Sequence, residues 1–83
     1  MSYIFSFSSR NSAFRFLDAV VAGGCKAKLV NAPIRNGEGC GLAVKCDNYK
    51  LCQDVLNSGH YANLRAVYSY DGDTYKTIYN IGN

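Results

Sequence analysis

The order of strand-like and helix-like segments predicts one α+β domain: β-α-β-β-α-β with an extra C-terminal hairpin strand, both helices lying on one face of an antiparallel sheet. Three observations carry this. Short runs such as Tyr3-Ile4-Phe5-Ser6-Phe7 alternate with the two-residue period of a half-buried strand. Two longer stretches repeat apolar residues at helical spacing, and Gly, Asn, Asp and Ser mark the breaks between segments. Right-handed crossovers then place both helices on the same side of the sheet, which is the ferredoxin-like arrangement. At 83 residues there is length for a single domain, residues 1–83, with one core.

The first strand is the aromatic run Tyr3 to Phe7. The cluster Ser8-Ser9-Arg10-Asn11-Ser12 supplies N-cap side chains, and Ala13, Phe14, Phe16, Leu17, Val20 and Val21 follow as the apolar positions of a helix stopped by Gly23-Gly24. From Cys25 to Ala32, Cys25, Ala27 and Leu29 alternate with Lys26, Lys28 and Val30 as a second strand. Pro33 to Gly41 holds three glycines in nine residues and one proline, so it reads as a loop. Leu42, Val44 and Cys46 form the inward side of a third strand. Asp47 or Asn48 then caps a second helix with the apolar face Tyr49, Cys52, Val55 and Leu56, ending near Gly59. In the last segment Leu64, Ala66, Tyr68 and Tyr70 share one face, Asp71-Gly72-Asp73 turns the chain, and Tyr75, Thr77, Tyr79 and Ile81 alternate on the return strand. That strand, residues 74–81, is expected to extend an edge of the sheet. If it paired with a second copy instead, it would make a homodimer by β-addition.

Composition narrows the function classes. Nine Lys+Arg against six Asp+Glu give a net charge of +3, with the bases scattered rather than gathered in a stripe, so no nucleic-acid partner is expected. The seven tyrosines are better explained by cross-strand pairing than by base stacking. The N-terminus lacks the features of an export signal, and no apolar run approaches the roughly 20 residues of a membrane span. A cytoplasmic location and reduced thiols follow as expectations. The cysteines stand at 25, 40, 46 and 52, without the close ligand pairs that announce a zinc site, and the single histidine, His60, reads as a helix-end residue, so no metal is expected.

Cys40 is the candidate for chemistry. Gly39 and Gly41 beside it strip away side-chain cover and let backbone N–H groups converge, while Arg35 stands earlier in the same loop. Thiolate is the nucleophilic form of cysteine, and such donors favour it. On the residues alone a second reading stands equally: a tight turn with Cys40 as a small buried hydrophobe. Cys46 and Cys52 lie on core faces, and Cys25 reads as a packing residue at the start of a strand rather than as a resolving cysteine.

Pro33-x-Arg35 followed by Cys40-Gly41-Leu42-Ala43 resembles the putative Se/S carrier protein-like domains, a family of small bacterial proteins. Phe5, Phe7, Ser9 and Ala13 are similar to its first strand and helix entry, and the resemblance covers about residues 3 to 60. The residues Asn36-Gly37-Glu38-Gly39 are richer in glycine and more acidic than the family's loop, and the Tyr-rich hairpin runs past the family domain. The resemblance implies that Cys40 bears sulfur or selenium as a persulfide or perselenide, with Arg35 as its loop partner. The chain would then be a carrier rather than a turnover enzyme, with sulfur or selenium donor and acceptor proteins as partners and no organic cofactor. The alternative is a non-catalytic interaction module that uses its tyrosine-rich sheet face or an edge strand.

Overall fold

The computed structural model describes residues 2–31, 42–59, 61 and 63–80, with the side chains of residues 79 and 80 excepted. Along these residues run β1 (Ser2–Phe7), α1 (Arg10–Ala22), β2 (Ala27–Asn31), β3 (Leu42–Cys46), α2 (Tyr49–Gly59), β4 (Leu64–Tyr70) and β5 (Tyr75–Asn80). The α+β class expected from the sequence is present. Five strands form one sheet in the order β2-β3-β1-β4-β5, and every neighbouring pair is antiparallel. The aromatic first strand is central, and β5 extends the edge beyond β4.

Alternation along β1 separates two faces. Phe5 lies opposite Val44 on one side and Val67 on the other, and its ring meets Phe16 of α1 at 5.1 Å and Tyr49 of α2 at 6.1 Å between centroids. Both helices therefore cover the face of Phe5. Phe7 adds a second aromatic contact to Phe16 at 5.2 Å, and Tyr61 stands edge-on to Phe16 at 5.4 Å. Phe5, Phe7, Phe16, Val20, Val44 and Cys52 are fully buried around this contact. The burial of these large side chains supplies the main drive for folding in so short a chain.

The helix termini follow from local chemistry. Ser9 has extended backbone and its side chain accepts the Ser12 N–H, so the first turn of α1 is capped. At the other end the Cys25 N–H reaches the Val20 carbonyl and the Gly24 N–H the Val21 carbonyl, the two bonds of a Schellman motif. Gly24 carries the positive φ of 100° that this motif requires. Of the two candidate caps for α2, Asn48 is the one used: its side chain accepts the Leu51 N–H and its carbonyl the Cys52 N–H.

Three expectations are corrected. Phe14 and Val21 are 41% and 50% exposed, because at about 100° per residue they fall to the side of the stripe Ala13, Phe16, Leu17 and Val20. In β4 the register shifts between Ser6 and Phe7, so Ala66 pairs with Ser6 but Leu64 pairs with Phe7 and packs on the helix side. A second shift between Val67 and Tyr68 places Thr77 opposite Tyr68 and Tyr79 opposite Val67. One extra residue at each irregularity breaks the two-residue period, and strict alternation cannot foresee it.

Candidate functional site

The loop residues Arg35, Gly39, Cys40 and Gly41, which carry the sequence-based site, lie outside the described residues, as does His60. Strand β3 begins at Leu42, two positions after Cys40 in sequence, and ends at Cys46. At that far end the structure assembles a second group of thiols. The Sγ atoms of Cys25, Cys46 and Cys52 all lie within 4.8 Å of one another, and all three residues are buried.

Each thiol arrives by a different route. The Schellman motif ends α1 and turns Cys25 inward, leaving it 6% exposed. Cys46 is the last residue of β3 and lies opposite both Tyr3 and Ala27, on the face that the helices cover. Cys52 sits just beyond the first turn of α2, on the stripe that packs against the sheet. The α2 N-terminus thus meets the end of β3 and the exit of α1, and thiols occupy all three surfaces. Asp47 stands beside them, its Oδ1 3.5 Å from the Cys25 Sγ.

The environment divides the three thiols electrostatically. The Cys52 S–H donates to the Cys46 sulfur, and this outweighs burial; the Asn48 N–H and the Cys25 S–H add to it, holding the Cys46 pKa below its ordinary value. The N-terminus of α2 acts in the same direction. Cys52 is pushed up, first because its proton serves that bond and then by burial. Burial also pushes Cys25 up, against the pull of the Asp47 N–H. The Cys25 S–H faces the Asp47 Oδ1 at 3.5 Å and the Lys26 carbonyl at 3.6 Å.

The opposite face of the sheet carries different groups. Lys45, Ile4, Tyr68 and Thr77 lie in one cross-strand row. Tyr70 stacks on Tyr75 with centroids 4.6 Å apart, and the Lys45 ammonium sits 5.4 Å from the Tyr70 ring.

Sequence reading placed Cys25, Cys46 and Cys52 correctly as packing residues but did not join them. A zinc search along the chain looks for ligands a few residues apart, whereas these come from three elements. The available signal is that Cys46 and Cys52 lie on core faces and Cys25 packs at a strand end in a domain with a single core.

Among the described residues, no helix is long and apolar enough to cross a membrane. The family model described as Putative Se/S carrier protein-like matches residues 2–68. No curated protein and no solved structure matches the chain.

Proposed function

The chain belongs to the Putative Se/S carrier protein-like family, and from that premise we propose that it carries sulfur or selenium on Cys40, with Arg35 favouring the anion. The observation that carries this reading is the extent of the match. Residues 2–68 include the whole Pro33-to-Ala43 segment, whose only cysteine is Cys40. In the reaction the Cys40 thiolate attacks the terminal sulfur of a donor persulfide, R–S–S⁻. The new S–S bond forms on Cys40, the donor's S–S bond breaks, and R–S⁻ leaves with its electron pair. An acceptor thiolate reverses the exchange, so no net oxidant is needed. Selenium follows the same course.

The buried thiols are poorer candidates for this task, because a nucleophile must reach a protein-bound donor and Cys46 and Cys52 are 2% and 0% exposed. The four residue steps of β3 from Leu42 to Cys46 span roughly 13 Å, so the cluster stands well away from the start of the strand. The same reading takes the β1–β4 core as ferredoxin-like with β5 added outside β4, supported by the central position of β1 and the shared helix face.

Incubation of the reduced protein with a cysteine-desulfurase sulfur source, followed by mass mapping, tests the carrier. One added sulfur confined to Cys40, absent in Cys40→Ser and reduced in Arg35→Ala, is the expected result. Label only on Cys25, Cys46 or Cys52, or none, defeats it. The tyrosine and lysine face favours a second reading, a protein-interaction module. In that case Tyr68→Ala abolishes partner binding and Cys40→Ser leaves it unchanged.

A further inference from the structure

We propose that Cys25, Cys46 and Cys52 bind one Zn²⁺ ion as thiolates, with the Asp47 carboxylate rather than Cys40 as the fourth donor. Three thiols on three different elements already converge within 4.8 Å. In a tetrahedral site with Zn–S near 2.3 Å the sulfurs are about 3.8 Å apart, so closure needs a contraction of at most about 1 Å. With Zn–O near 2.0 Å, the sulfur–oxygen edge of the same tetrahedron is about 3.5 Å. The Asp47 Oδ1 meets that edge with Cys25 alone, at 3.5 Å; its exposed side chain swings toward the Cys46 and Cys52 sulfurs to complete the site.

The donor set selects the metal. Thiolate sulfur favours soft or borderline ions such as Zn²⁺ over Mg²⁺ or Ca²⁺, and three sulfurs with one carboxylate suit four-coordination. Binding releases the three thiol protons and involves no change of oxidation state. The resulting centre carries excess negative charge, and Lys26, Lys28 and Lys45 line the shallow cleft that opens beside Cys46 and Asp47. Lys45 and its cross-strand partner Lys28 lie on the opposite face of the sheet, so they offset that charge at long range only. The backbone fixes the donors before metal arrives: the Schellman turn holds Cys25, and the Asn48 cap holds the first turn of α2 between Cys46 and Cys52. Preformed donors of this kind bind without a large ordering cost.

The test is to load the reduced 83-residue chain with one equivalent of Zn²⁺ and count retained metal by native mass spectrometry after a competing chelator. Co²⁺ substitution reports the ligands through sulfur-to-cobalt charge-transfer bands. One ion per chain, retained in Cys40→Ser and lost in Cys46→Ser, is expected. Because removal of a core cysteine also perturbs folding, Asp47→Asn at the exposed position serves as the second variant. It is expected to weaken binding by at least about tenfold while the thiolate bands persist, since the loss of an outer-shell partner alone costs about 10–100-fold. Failure of the folded, reduced wild-type protein to retain Zn²⁺ overturns the site. So does retention undiminished in Cys46→Ser, or loss in Cys40→Ser. Unchanged affinity in Asp47→Asn overturns the proposed fourth donor. None of these readouts depends on sulfur transfer, so the carrier reading and the metal site fail separately.

Discussion

Along β1, Tyr3, Phe5 and Phe7 meet the helices, while Ile4 and Ser6 belong to the face where Lys45, Tyr68, Tyr70 and Tyr75 gather. The helix face holds fully buried aromatic rings and three thiols. On the other face Tyr75 remains 49% exposed. Aromatic contacts occur on both, at similar centroid distances: 5.1 Å for Phe5–Phe16 and 4.6 Å for Tyr70–Tyr75. What differs is the water excluded around them. A ring contact contributes most where its loss leaves a cavity, and least where solvent refills the space.

The largest expected effect breaks the comparison directly. Phe16→Ala should destabilise the protein by about 3–5 kcal/mol, since it empties a fully enclosed site touching Phe5, Phe7 and Tyr61. Tyr75→Ala should cost less: about 0.5–1.5 kcal/mol for the stack on Tyr70, plus the looser contact to Tyr68 and the burial of a ring that is already 49% exposed. Urea unfolding of both variants measures the difference; equal midpoint shifts at unchanged m would mean that the faces are energetically alike.

A smaller effect sharpens the link between backbone and thiol cluster. Gly24 and Gly72 both have φ of 100°, and a Cβ at either position meets nothing within 4 Å. Substitution by Ala therefore costs conformational energy alone, about 1–2 kcal/mol at each position. Gly24→Ala should in addition lower Zn²⁺ retention, because the Schellman turn carries Cys25 into the cluster. Gly72→Ala, in the distant hairpin, should not. Equal metal retention by the two variants would sever the turn from the site.

The smallest effect concerns the hairpin and acid. The Thr74 N–H, and after it the Asp73 N–H, hold the exposed Asp71 carboxylate below its ordinary pKa. A folded pKa below the unfolded value means that the stabilisation is fully present above the unfolded value, near 3.9, and is lost as pH falls through the folded one. The Asp73 and Thr74 amide resonances should therefore shift together as pH drops below about 4, and Asp71→Asn should remove that transition. Persistence of the transition in Asp71→Asn would assign it to another group.

Much of the architecture was legible because it rests on local rules. Tyr3-Phe5-Phe7 alternates, Ser9 caps, Gly24 turns and Asp71-Gly72 reverses the chain, and each acts within a few residues. The candidate site was legible only as a motif. The Cys40 loop carries the family pattern in consecutive residues, whereas the thiol cluster depends on residues up to 27 positions apart, from Cys25 to Cys52.

The sequence by itself determined the element types and their order, the α+β class and the family pattern, because periodicity and turn chemistry are encoded in neighbouring residues. Only the tertiary structure decided which strands became neighbours, where the two register shifts fell, and that three packing cysteines share one point. Register shifts depend on how one strand meets another, so Leu64 and Tyr79 could not be assigned a partner from their own segments. The thiols converge because the exit of α1, the end of β3 and the start of α2 pack together at one corner of the core, a juxtaposition set by long-range packing rather than by spacing along the chain.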